Sequence, residues 1–519
     1  MGLPAFKNEP LSQFKSNPEH QRKMVEALEK VRSELGREYD LVIGGERVRT
    51  SDRLISYNPA NKTEVVGSFS KATRELAERA IRTAEEAFKT WSRTAVEKRV
   101  QVLLDTARTL RENKYYYSAW MVFEVGKSWA EADADTAEAI DFCEYYAREM
   151  QRLDHPAPLA PVAGEKNYLR YIPLGVGIVI PPWNFPLAIL TGMTAASIVA
   201  GNTVVLKPSS DSPVIAYKFF EALEEAGMPP GVANFLPGSG SAIGDFLVAH
   251  PRTRYVAFTG SKEVGLHINE LAARHQPGQI WVKRVVAEMG GKDSIVVDSE
   301  TDVDLAAEGV AAAAFGFQGQ KCSACSRAIV VEKVYDAFLD KLKQRVEMLK
   351  VGQPTEPGTD MGPVINGAAE KSILEYIETG KREGRLVTGG GTTSNDGHFI
   401  APTVIADVEP RARLAQEEIF GPVLAVIKAK DFDEALEIAN NTEYGLTGAV
   451  YTKDRQKLDK AADTFHVGNL YLNRKCTGAL VGGHPFGGFN MSGTDSKAGG
   501  PDYLLLFTQA KTVAEKIGA

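Results

Sequence analysis

Cysteine is scarce: Cys143, Cys322, Cys325 and Cys476 are the only four in 519 residues. Thiols so few and so scattered cannot staple a chain of this length, which excludes a disulfide scaffold and points to a reducing compartment, the cytoplasm by default. Long apolar runs are missing as well. The most apolar long window, 185–200, carries Thr191, Thr194 and Ser197 and is shorter than the roughly 20 residues that span a bilayer, so it is expected to be a buried helix. Residues 1–9 hold charges where a signal peptide needs an apolar core, and Phe6 stands where a myristoylation site needs a hydroxyl; export is not expected. Nor is there an excess of one charge. Sixty basic residues face 67 acidic ones, a net charge of -7, which argues against a nucleic-acid or membrane surface and for small-molecule partners.

What remains is an ordinary globular composition, 44% hydrophobic and 24% charged, in a chain too long for one core, so two or three domains are expected. Charged amphipathic helices are predicted over 18–36 and 74–91. From Gly175 the pattern becomes apolar strands alternating with helices: 176–180, 203–206, 233–236 and 255–258. That alternation predicts a parallel sheet with crossover helices. After Gly290-Gly291 a second series begins with a strand at 294–297, an alanine-rich helix at 303–315 and a strand at 328–331. The proline-rich stretch 154–165 fits neither core and reads as an extended arm.

Several residues could carry chemistry. Cys322 lies in a polar, glycine-containing loop between an apolar helix and an apolar strand, with Lys321 as an adjacent cation. It is either a nucleophile with a lowered pKa or a small buried turn residue. Cys322 and Cys325 also make a Cys-x-x-Cys pair, but no second pair stands at ligand spacing. Glu288, at a strand end before Met289-Gly290-Gly291, is either a general base toward water or a surface glutamate. Asn184 follows a buried strand and is either an oxyanion donor or a helix cap. Gly238 opens a glycine-rich turn that resembles a dinucleotide turn without the standard spacing, and Gly260-Ser261 opens another. Two adjacent turns of this kind suggest a cofactor cleft.

In order along the chain, Pro182-Trp183-Asn184-Phe185-Pro186, Lys207-Pro208-Ser209, Phe258-Thr259-Gly260-Ser261, Glu288-Met289-Gly290-Gly291-Lys292, Gly319-Gln320-Lys321-Cys322, Glu417-Glu418-Ile419-Phe420-Gly421-Pro422 and Pro485-Phe486-Gly487-Gly488 resemble the signatures of the aldehyde dehydrogenase superfamily. The ordered set is far more specific than any one string. The resemblance implies an α/β fold: a Rossmann-type NAD(P)-binding domain (1–153 and 171–289), a catalytic α/β domain (290–485) and a small β-arm for oligomerisation (154–170 and 486–519). It implies that Cys322 is the nucleophile, Glu288 the base for the deacylating water, and Asn184 with the Cys322 amide the oxyanion hole. Lys207 and Glu418 would hold the cofactor riboses, Phe420 would pack near the nicotinamide ribose, and Gly260 and Ser261 would lie beside the pyrophosphate. Trp183 and Gly238 fall on the cofactor side too. A homo-oligomer is implied, a dimer or larger.

Within the superfamily, the strings 181–184, 320–327 and 492–501 are similar to the L-glutamate γ-semialdehyde dehydrogenase group. That likeness implies oxidation of this semialdehyde to L-glutamate in proline and arginine breakdown. Ser323 with the backbone of Gly478 and Ala479 would bind the α-carboxylate, and Phe486 would pack on the aliphatic stem. Two positions depart from the common pattern. Three residues after Lys207, where many relatives carry a glutamate on the adenine ribose, stands Ser210; removing that carboxylate is expected to let NADP serve alongside NAD. Asp293 replaces a commoner asparagine. Other readings are an aldehyde dehydrogenase for succinate semialdehyde or betaine aldehyde, a non-catalytic protein of the same fold, and a cysteine hydrolase.

Overall fold

Apolar runs between short polar turns become, in the computed structural model, two seven-stranded sheets covered by helices; residues 3–155 and 158–517 are described. Parts of three expectations, at residues 1–2, 156–157 and 518–519, lie outside them. The first sheet runs, in spatial order, Arg284–Glu288, Thr253–Thr259, Val176–Ile180, Thr203–Leu206, Ala233–Phe235, Leu41–Ile43 and Glu46–Val48. The first five strands are parallel and the last two join antiparallel. The second sheet runs Arg385–Thr388, Thr403–Ala406, Val423–Ala429, Cys325–Val331, Asp293–Val297, Thr447–Tyr451 and Asn469–Leu472, parallel except at its first edge.

Both sheets are buried on both faces, which is why their strands read as continuous apolar runs. Adjacent residues serve opposite cores: Ile178 and Val179 in the first sheet, Ile295 and Val296 in the second. The helix Ala188–Val199 lies in the 185–200 window and is buried along almost its whole length. Among the described residues no helix is long and apolar enough to cross a membrane.

The helix expected over 18–36 spans Pro18–Arg32, capped by the side chain of Asn17, because the chain turns at Gly36, at φ 78°, into the strand Arg37–Tyr39. Helices Val96–Glu112, Lys114–Val125 and Trp129–Asp154 stand where no element was predicted. The last of these takes in Asp154, the first residue of the expected arm. An antiparallel ribbon of Glu165–Pro173 with Thr508–Lys516 follows. Residues 486–507, expected in the arm, turn back instead: Gly493 bridges Glu288, Phe486 bridges Ala498, and Tyr503 and Phe507 are buried beside Tyr146 and Tyr255. Burial of these rings outweighs extension into solvent.

Candidate active site

From the central strand Val176–Ile180 the first sheet grows in both directions, so successive connections diverge and leave a crevice at the carboxyl ends. Trp183 and Asn184 follow Ile180 at this edge, Lys207 follows Leu206, Gly238 follows Phe235, Gly260 and Ser261 follow Thr259, and Glu288 ends its own strand. The second sheet supplies Cys322 and Glu418 from loops just before Cys325–Val331 and Val423–Ala429. Only residues 289–292 join the two sheets here. A Cβ on Gly290 would stand 2.1 Å from Oε2 of Glu418, and one on Gly291 would stand 2.5 Å from the carbonyl oxygen of Cys322. The glycine pair lets the connecting segment run this close to the loops that carry Glu418 and Cys322.

The loop carrying Cys322 is strained and pinned. Phe317 and Gln318 adopt φ of 50° and 57°, a left-handed conformation costing roughly 1–2 kcal/mol per residue. Gln318 Nε2 donates to the carbonyls of Gly126 (3.3 Å) and Pro363 (2.8 Å), and Gln320 Oε1 accepts from the Ile365 N–H at 2.9 Å. Asn184, buried, donates from Nδ2 to the Gln320 carbonyl at 3.0 Å. This bond fixes the amide against the loop that carries Cys322.

Burial pushes the largely buried Cys322 thiol up, well above the usual thiol range, and the carboxylates of Asp293, Glu418 and Glu288 add to this while the Ser323 N–H opposes it. Lys321, expected to act as the adjacent cation, turns away and pairs with Glu131 at 2.7 Å. Cys325, by contrast, is buried at the head of its strand.

Burial also raises Glu288, to about 8, against the hydrogen bonds that favour its charged form. The Ser496 hydroxyl donates to Oε1 and the Gly488 N–H to Oε2 at 3.4 Å. Ser496 escaped sequence reasoning, because two hundred intervening residues hide that contact; its only signal is the polar, glycine-rich segment returning through 492–500.

The cofactor side passes a chemical test for a dinucleotide. Lys207 is 7% exposed, and burial lowers its ammonium to about 8. Among the described residues no carboxylate pairs with it; its closest acceptor is the Pro208 carbonyl at 3.5 Å. A buried cation without an anion suits the hydroxyl groups of a ribose. Across the crevice Glu418, raised to about 7 by burial, accepts from the Gly291 N–H at 3.1 Å and has acceptor capacity to spare. Phe420, at φ 56°, sets its ring edge-on to Trp183 with centroids 5.6 Å apart. Ser261 caps the helix Lys262–Ala273 through its side chain. The Gly238 turn differs from expectation: Gly240–Gly244 forms a π-helical turn followed by the short helix Asp245–Ala249, and a Cβ on Gly240 or Gly244 would meet nothing within 4 Å. Ser210 is partly exposed beside Lys207.

On the opposite side, Cys476 donates from Sγ to the Ser323 carbonyl at 3.4 Å, which ties the loop 473–488 to the nucleophile loop. Gly478 is left-handed at φ 80°, and among the described residues neither its N–H nor that of Ala479 has an acceptor. Gly478 is exposed, so these amides are open to solvent or to an anion. Phe486 stands two residues before Gly488, the donor to Glu288.

This chain belongs to the aldehyde dehydrogenase family, whose profile matches residues 48–513. It is 62% identical to a 1-pyrroline-5-carboxylate dehydrogenase of Geobacillus thermodenitrificans over 510 residues, covering 98% of this chain and 99% of that one. Its fold is similar to the crystal structure of 1-pyrroline-5-carboxylate dehydrogenase from Thermus with bound NAD, with a TM-score of 0.98, 54% identity and full coverage of both chains. A betaine aldehyde dehydrogenase from Staphylococcus aureus in complex with NAD+ is more distant, at 30% identity and a TM-score of 0.88 over 96% of this chain and 98% of that one.

Proposed function

We propose that this protein oxidises L-glutamate γ-semialdehyde, the open form of 1-pyrroline-5-carboxylate, to L-glutamate with reduction of NAD, as a step of proline and arginine degradation. Near full-length identity to 1-pyrroline-5-carboxylate dehydrogenases supports the substrate, and the NAD-bound Thermus relative supports the cofactor. The observation that carries the reading is the anion-ready pair of amides at Gly478 and Ala479, tied to Ser323 beside the nucleophile loop. An aldehyde bearing an α-carboxylate fits that arrangement better than a neutral one.

In this reading Cys322, once deprotonated, forms a C–S bond to the aldehyde carbon, and Asn184 Nδ2 with the Cys322 N–H receives the developing oxyanion. Each such donor contributes about 3 kcal/mol. A bound nicotinamide supplies the hydride acceptor. Glu288 then takes a proton from water, whose oxygen attacks the thioester carbonyl; the C–S bond breaks and L-glutamate leaves. Ser323, Gly478 and Ala479 hold the α-carboxylate, and Phe486 covers the aliphatic stem. Lys207 and Glu418 hold the riboses, with Trp183, Gly238, Gly260, Ser261 and Phe420 around the rest of the nucleotide. Because Ser210 brings no negative charge to the adenine ribose, NADP also serves. A two-stranded ribbon is marginal in water by itself, so Glu165–Pro173 with Thr508–Lys516 completes its packing on a second copy of the chain, in the cytoplasm. The deciding experiment compares NADH formation from L-glutamate γ-semialdehyde, succinate semialdehyde and betaine aldehyde. A preference for either of the last two would reject the substrate, and a Cys322→Ala enzyme that still formed NADH would reject the chemistry.

A further inference from the structure

The segment before the first helix lies outside the family match, which begins at residue 48, yet it reaches the loop that carries Gly478 and Ala479. Asn8 Nδ2 donates to Asp141 Oδ2 at 2.8 Å and to the Val481 carbonyl at 2.9 Å, so one amide fastens the helix Trp129–Asp154 to the loop. The Glu9 N–H donates to the other oxygen of Asp141 at 2.7 Å. Phe6 sets its ring edge-on to Tyr145, centroids 5.2 Å apart, and a Cβ on Gly482 would lie 3.0 Å from that ring. The aromatic side chain therefore rests on bare loop backbone. Farther along, the Ser12 N–H donates to Asp133 at 2.8 Å and Lys114 Nζ to the Pro10 carbonyl at 2.8 Å, which keeps the segment in place.

Between the strand ending at Leu472 and the one starting at Phe489 the loop contains no helix or strand; inside it Arg474 Nη2 donates to the carbonyls of Thr477 and Gly478, 3.0 Å each, and contacts from outside complete its shape. One end is tied through Cys476 to Ser323. The other is held by Asn8 and Phe6 on one side and by the Gly482 N–H to Gly499 carbonyl bond, 2.8 Å, on the other. Amides held in place bind an anion without the entropic cost of ordering them first.

We propose that this N-terminal strap positions the carboxylate-binding amides, with Asn8 as a positioning residue for affinity toward acidic aldehydes; the inference rests on the substrate reading above. A merely structural role would act on every substrate alike. The strap acts on those that use the amides.

The test uses the full-length chain with Asn8→Ala and, separately, Phe6→Ala, assayed with L-glutamate γ-semialdehyde and with butanal, which has no carboxylate, alongside calorimetric binding of the product L-glutamate. The expected result is a rise of about tenfold in KM for the semialdehyde and in Kd for L-glutamate, the size of losing a hydrogen bond or two. The kcat with the semialdehyde, kcat/KM with butanal and Tm stay near wild type. Equal losses on both aldehydes, or an unmoved L-glutamate affinity, would overturn the role of the strap. Failure of the wild-type enzyme to oxidise the semialdehyde would instead overturn the substrate reading, and this inference with it.

Discussion

Ser496 donates its hydroxyl to the carboxyl of Glu288, 208 residues earlier in the chain, and so holds the candidate base at the wall of the crevice. The contact aims the group and moderates its acidity. Burial raises Glu288 to about 8, and the Ser496 hydrogen bond pulls it partway back by favouring the charged form.

A general base works only when ionised, so thioester hydrolysis is expected to rise with pH through about 8 and level off above it. Removing the donor in Ser496→Ala disfavours the carboxylate and should move that midpoint upward. Glu288→Gln should keep a pre-steady-state burst of NADH and lose most of its steady turnover. Stopped-flow traces and the pH dependence of kcat check all three; a downward shift in Ser496→Ala would contradict the assignment.

Asn184 donates one N–H to the Gln320 carbonyl, and in the proposed mechanism its second serves the oxyanion. Asn184→Ala should lower kcat by about a hundredfold or more, equivalent to roughly 3 kcal/mol of lost transition-state stabilisation, with nucleotide affinity little changed. Steady-state kinetics alongside a direct titration of NAD separate the two effects.

Gly290→Ala places a methyl group in the space of the Glu418 carboxyl. The displaced carboxylate loses its bond from Gly291 and its aim across the crevice. We expect KM for NAD to rise by about ten- to a hundredfold, in line with one or two hydrogen bonds to a charged group. A cofactor KM equal to wild type would place the nucleotide elsewhere.

Ser210→Glu introduces a negative charge near the site expected for the adenine ribose. NADP, carrying a 2'-phosphate, should lose at least tenfold in kcat/KM while NAD is spared. If the wild-type enzyme already rejects NADP strongly, the inference from Ser210 fails.

Ending the chain at Phe507 removes one strand of the ribbon and leaves the buried ring of Phe507 in place. The truncated protein is expected to elute as a smaller species than the full chain in size-exclusion chromatography with light scattering. An unchanged mass would show that the ribbon does not join copies.

Local order in the amino acids already specified much of this protein. Alternating apolar runs placed strands at 176–180 and 203–206 and a helix at 303–315 with the observed bounds, because burial on two faces writes itself into composition. The ordered motifs singled out Cys322, Glu288, Asn184, Lys207 and Glu418, which the fold brings to one crevice. Helices between 96 and 154 went unread because their faces carry buried polar and charged residues, among them Arg99, Asp133 and Asp135, which blur the helical period.

Only the folded chain decided the partners. Lys321 adjoins Cys322 in sequence yet spends its charge on Glu131, while Ser496 and Gly488 come from far away to hold Glu288. The tail at 486–507 went to the core and not to the ribbon, and Asn8 came to rest on Val481. Periodicity and motif spacing report what each residue does within a few turns of its neighbours. Which distant groups share a buried volume, and so shift one another's protons, depends on packing between elements, and no local pattern encodes that.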